Sequence, residues 1–190
     1  MTNIDSQKGF YCSDDQAPSI TCVCPATDSD IICVGDIVEA AGSSDATGKY
    51  PAVKILSAVT SGIQPYGVMK SKVLLTNKDA TETIHRLAST KTLLEITPIL
   101  PGSRWVGQID DTGDLANTDI QGNCDPVVIS GNADTGVSKQ ELDYSTISTT
   151  ATLMCTILRV LPRVGNALGG NAEVEFVFNK SFFYPGVTGL

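Results

Sequence analysis

Residues 172–179, AEVEFVFN, and residues 150–161, TATLMCTILRVL, decide the fold. In the first, Val174, Phe176 and Phe178 alternate with Glu173 and Glu175. A period of two puts the apolar set on one face and the acids on the other, the pattern of a strand with one side buried. Valine and phenylalanine also suit a pleated, half-buried surface. The second is the longest alternating run in the chain. It predicts Leu153, Cys155, Ile157 and Leu161 on one face, with Thr152, Met154, Thr156, Leu158 and Val160 on the other. Between the two runs lies GNALGGN, residues 165–171, a glycine- and asparagine-rich connection.

Working outward, similar short runs occur at 19–24, 31–34, 37–38, 51–60, 66–75, 91–99, 104–109 and 127–130. Ser61-Gly62, the acidic turn at 110–114 and the cluster at 131–136 punctuate them. Roughly ten strands separated by frequent turn signals predict an all-β class, an antiparallel β-sandwich or barrel of jelly-roll or tulip-like kind. Helix competes only at 79–88, where Asp79 and Glu82 resemble a capping box and Ile84, Leu87 and Ala88 share a helical face. Thr-rich surroundings favour a loop with at most one helical turn there. Residues 1–17 are polar and show no periodicity. They are expected to form an extended N-terminal arm, with residues 18–190 a single β domain.

At 190 residues and 42% hydrophobic content the chain can bury a full core without staples. No apolar run reaches the ~20 residues of a membrane helix, so no membrane partner is expected. MTNIDSQKGF lacks a basic region followed by an apolar stretch, so a secretory signal is not expected either. The net charge of −8 argues against a nucleic-acid partner, since phosphate backbones select basic faces. Charge is placed unevenly. Residues 1–50 sum to −6, 51–104 to +4, 105–145 to −7 and 146–190 to +1. Solvated loops account for this, and so does a surface matched to a partner's charge pattern.

Chemistry-bearing constellations are sparse. Cys12, Cys22, Cys24, Cys33, Cys124 and Cys155 lack zinc-site spacing and are expected as free thiols, mostly buried. His85 is the single histidine and no G-x-S-x-G accompanies it, so neither a catalytic triad nor a His-based metal site is expected. The acidic turn at 110–114 fails the EF-hand pattern and reads first as a hairpin turn, with a loop calcium site the sharper alternative. The glycines at 165–170 lack the Lys-Ser/Thr of a phosphate loop. Asn179-Lys180-Ser181 fits the glycosylation sequon. No catalytic residue, metal or cofactor is expected.

The segment TATLMCTILRVLPRVGNALGGNAEVEFVFNKSFF resembles the C-terminal end of the capsid decoration (cement) proteins of tailed bacteriophages. Arg163, Asn166, Gly169, Asn171 and Ala172 correspond to that family's Arg-x-x-Asn-x-x-Gly-x-Asn-Ala segment. HRLASTKTLLEITP resembles the loop leading into its central strand. Residues 105–111 with Leu115, Ala116 and residues 123–125 resemble the hairpin and Asn-rich loop that follow. The resemblance covers 85–190, is weak over 50–84 and does not reach 1–49.

What the resemblance implies is a non-enzymatic virion protein, made in the host cytoplasm. It would bind the outside of the expanded capsid, clamp neighbouring copies of the major capsid protein and associate with itself, as a homotrimer or a homodimer. Aromatic anchors dominate protein interfaces, so Phe10 and Tyr11 in the arm and Phe182, Phe183 and Tyr184 in the tail are the candidate partner-binding residues, with a place in the domain's own core as the alternative for both groups. The rival reading is a host-recognition or tail-spike-type binding module of a virion.

Overall fold

Ten strands form, in a computed structural model that describes residues 3–14, 17–59, 62–73 and 83–184. They are β1 (Tyr11–Cys12), β2 (Ile20–Cys24), β3 (Ile37–Ser44), β4 (Pro51–Ile55), β5 (Pro65–Lys72), β6 (Thr92–Pro98), β7 (Trp105–Gln108), β8 (Asn123–Cys124), β9 (Cys155–Val160) and β10 (Glu173–Phe178). Two single 3₁₀ turns, Asn117–Asp119 and Tyr144–Thr146, are the helical elements among the described residues. The molecule is all-β, a sandwich-like packing of two sheets.

One sheet closes on itself as a five-stranded barrel in the order β2-β4-β3-β5-β6. Its pairs are antiparallel except β2 with β4, where Val23 meets Ala52 in parallel. Alternation selects the lining: Cys22 and Cys24 from β2, Val38 from β3, Val53 and Ile55 from β4, Met69 from β5, and Leu94 and Ile96 from β6. The other sheet is open, in the order β1-β7-β10-β9-β8. Its inner face carries Trp105, Val174, Phe176, Phe178, Cys155, Ile157 and Cys124. Ile37, Leu56, Val68 and Ile99 come from the barrel to complete this second core. The barrel strands β3 and β5 therefore serve both cores, with Val38 and Met69 turned inward and Ile37 and Val68 turned toward the sheet.

The alternation in 172–179 holds: Val174, Phe176 and Phe178 are buried in the core. The longer run does not alternate throughout. Residues 151–154 are turn and bend, and β9 starts at Cys155. Its register against β10 then slips, because Ile157 pairs with Phe176 while Arg159 pairs with Glu175, leaving Leu158 as the extra residue of a β-bulge. The bulge reverses the faces beyond it. Val160, opposite Val174, packs on the core, so it and not Leu161 shares the face of Cys155 and Ile157.

Other local expectations change too. Residues 127–130 form no strand, and Val128 and Ile129 are exposed. Residues 31–34 make only single bridges, from Ile32 to Arg86 and from Val34 to Val137. Of the competing helix at 79–88, residues 79–82 lie outside the described residues, and 83–88 contain no helical turn.

The described part of the N-terminal segment, 3–14, lies against the domain. Asn3 is bound to the loop at 167–170, Ser6 and Ile4 to Gln108, and Phe10 N–H to the Gly35 carbonyl. Phe10 packs edge-on against Phe176 with ring centroids 5.5 Å apart. It sits over Gly107, where a Cβ would fall 2.5 Å from its ring. Only glycine leaves room for that ring on the inner face of β7.

Candidate interaction surface

The outer face of the open sheet is where sequence position and charge converge. The pairing Tyr11↔Val106↔Glu175↔Arg159 forms one row across β1, β7, β10 and β9. Gln108↔Glu173 forms a second row beside it. The alternation sends Glu173 and Glu175 away from the core, but they do not face open water: they are 6% and 4% exposed. A buried carboxylate must be paired, and each of these holds two cations. Arg159 Nε donates to Glu175 Oε2 at 2.7 Å, and Arg104 reaches the same oxygen at 3.6 Å. Arg163 meets Glu173 at 2.5 Å and Lys8 meets it at 3.8 Å.

The side chains of all four cations stay about half exposed. The carboxylates fix their positions while part of each charged head faces solvent. Four cations over two carboxylates leave this face basic on a chain that is −8 overall. Tyr11 stands at its edge, 44% exposed. Burial raises its phenol pKa, nearby Glu173 adds to this, and Arg163 opposes it. Tyr11 also lines a groove of about 350 Å³ between sheet and barrel, with Val34, Met69, Lys70 and Thr97. A half-exposed aromatic among pre-positioned arginines has the composition of a protein-binding patch.

The five aromatic candidates do not form one site. Phe10 and Tyr11 are adjacent but point to opposite faces of β1. Phe10 is 2% exposed in the core and has no surface to offer a partner. Phe182 and Phe183 pack on the barrel core and against Tyr66, at centroid distances of 5.4 and 4.8 Å. Tyr184 packs against the sheet core and donates its hydroxyl to the Phe178 carbonyl. These three are half-buried, and Tyr11 is the most exposed of the five.

The remaining candidates take structural places. His85 is buried, and burial followed by the Lys72 charge lowers its pKa. Among the described residues no three His, Cys, Asp or Glu side chains are placed to hold a metal, the acidic turn at 110–114 included. All six cysteines are free thiols. Asn179 of the sequon is engaged: its Nδ2 donates to Leu153 O and Asn123 Oδ1, and its Oδ1 accepts from the Thr156 hydroxyl.

Three buried polar groups gave no signal in the sequence. Arg86 is fully buried, with its guanidinium bound to the Asp28 carboxylate at 3.0 Å and to the carbonyls of Pro25, Asp28, Asp30 and Thr90. It knots the 25–30 loop to the barrel. Burial pushes the Asp36 carboxyl up to about 6, opposed by Ser138 and the Cys33 N–H. Burial also lifts Glu141 to about 7, opposed by Gln7 and reinforced by Asp5, Asp110 and Asp111.

No family model matches the chain, and no curated protein matches it.

Proposed function

We propose that this is a non-enzymatic virion protein that docks on the outer surface of an expanded phage capsid and clamps neighbouring major capsid subunits against internal DNA pressure. One observation carries the reading: the outer face of the open sheet presents Tyr11 in one cross-strand row with Glu175, whose buried carboxylate fixes Arg104 and Arg159. Arginines fixed in this way lose little entropy on docking and match an acidic protein surface. The resemblance of residues 85–190 to decoration proteins supplies the class of partner. Self-association would multiply modest contacts into avidity, ~10²–10⁴ from effective concentration.

The test adds the purified chain back to capsids stripped of it. Wild-type protein should bind expanded shells, raise the temperature of DNA release, and bind isolated capsid subunits far more weakly. Tyr11→Ala combined with Arg159→Ala should weaken shell binding by roughly tenfold or more, a hot-spot-sized loss. Equal binding to loose subunits, or no gain in particle stability, would overturn the clamp and move the host-recognition reading ahead.

A further inference from the structure

The loop between β9 and β10 is braced from both sides. Asn166 Nδ2 donates to the carbonyls of Leu161 at 2.9 Å and Glu173 at 2.8 Å, and its Oδ1 accepts from the Glu173 N–H at 2.9 Å. Asn3 donates to the carbonyls of Ala167 and Gly170 and accepts from the Ala167 N–H, each at 2.9 Å. Asp114 Oδ1 accepts from the Gly170 N–H at 2.8 Å. What this rigid loop displays is apolar. Val164 is 101% exposed, Leu168 46%, and Ile4, next to the Asn3 clamp, 82%. Val164 and Leu168 belong to one loop, and Ile4 follows the Asn3 that clamps it; exposed aliphatic side chains gathered in this way mark interaction sites.

The charges around the tip have opposite signs on its two flanks. Arg163 directly precedes Val164 and is anchored on Glu173. At the other end of the loop, Leu168 shares with Asp111 and Asp114 the wall of an open hollow of about 650 Å³. Along the loop, therefore, a cation precedes the apolar tip and carboxylates wall the far end.

We propose that this end is a two-fold, self-complementary interface for a second copy of the chain. A partner of a single charge sign would match one flank and oppose the other. A second copy turned by 180° about an axis through the Val164 tips brings each Arg163 flank onto the other's Asp111–Asp114 flank, the isologous arrangement of a C2 dimer. The bracing of the loop means that little conformational entropy is lost when it docks. The inference stands without the capsid reading, because it concerns the free protein.

Sedimentation equilibrium of the full chain, from low micromolar to submillimolar concentration, tests it. The expected result is a monomer–dimer equilibrium that weakens as salt rises. Val164→Asp should raise the dissociation constant by roughly tenfold or more. Because the Val164 side chain touches nothing in the monomer, its denaturation midpoint should not change. In a Cys12→Ser background, Val164→Cys treated with oxidised glutathione should give a symmetric disulfide-linked dimer. Two thiols lose their hydrogens as the glutathione disulfide is reduced. A wild-type chain that stays monomeric, a trimer, or a dimer indifferent to Val164→Asp would each overturn the proposal.

Discussion

Asp36 is fully buried, with Oδ2 accepting the Cys33 N–H at 2.7 Å and Oδ1 without a partner. Its pKa of about 6 lies above the ordinary 3.8. The folded state therefore holds this proton more tightly than the unfolded chain does. The stabilising contribution is complete below the unfolded pKa and is lost as pH rises through about 6, a swing of about 2–3 kcal/mol for two pKa units. Glu141 acts in the same direction through about pH 7. Denaturant midpoints should fall between pH 4 and 8, and Asp36→Asn should flatten that slope because an amide carries no charge to desolvate. An unchanged slope would show that Asp36 is not its source. At Phe10 the prediction is simpler. Phe10→Ala empties a site walled by Gly107 and Phe176 and should cost about 3–5 kcal/mol. Chemical denaturation measures it, and a loss under 1 kcal/mol would mean that the N-terminal segment contributes nothing to the core.

At the scale of elements, what was legible followed period and punctuation. β2, β6, β7 and β10 fall where alternation put them, because each has one apolar face turned to a core. Alternation could not reveal the bulge in β9, since Thr156, Leu158 and Val160 look like one face until the partner strand fixes the register. Nor could it show that Glu173 and Glu175, though turned away from the core, are covered by cations from 8, 104, 159 and 163, positions scattered along the chain. The buried Arg86 was hidden for the same reason: its acceptors come from the 25–30 loop, some 60 positions earlier. The apparent lack of pattern in 3–14 reflects a segment held largely by side-chain-to-backbone hydrogen bonds, which leave no periodic trace. The bulge makes a sharp prediction. Deleting Leu158 keeps Ile157 opposite Phe176, Arg159 opposite Glu175 and Val160 opposite Val174, so the chain should still fold with a modest loss of stability. Ile157→Asp instead puts an unpaired charge into the core and should unfold it. Circular dichroism and denaturant midpoints of the two variants check this, and equal damage from both would contradict the register.

For the whole molecule the question is whether barrel and sheet unfold as one unit. β3 and β5 bind them: Val38 and Met69 fill the barrel, while Ile37 and Val68 on the same strands fill the core under the sheet. The chain after β10 returns to the barrel, where Ser181 donates to the Ile99 carbonyl at 2.6 Å and Phe182 N–H to the Pro65 carbonyl at 3.0 Å. Neither core can lose its packing without exposing apolar surface of the other, so one cooperative transition is expected. The cysteines report on both cores at once. Cys22 and Cys24 lie inside the barrel, Cys124 and Cys155 under the sheet, and Cys12 is the one thiol that is only partly buried. Burial pushes Cys22, Cys24 and Cys124 up to about 12 and Cys155 well above its ordinary value, so these thiols hold almost no thiolate at neutral pH. A thiol reagent added to the native protein should label Cys12 and leave these four untouched. As denaturant rises, the barrel pair and the sheet pair should become reactive at the same concentration, read residue by residue by mass spectrometry of peptides. Labelling of one pair well before the other would mean that the strands shared between the cores do not couple them, and that barrel and sheet are separate folding units.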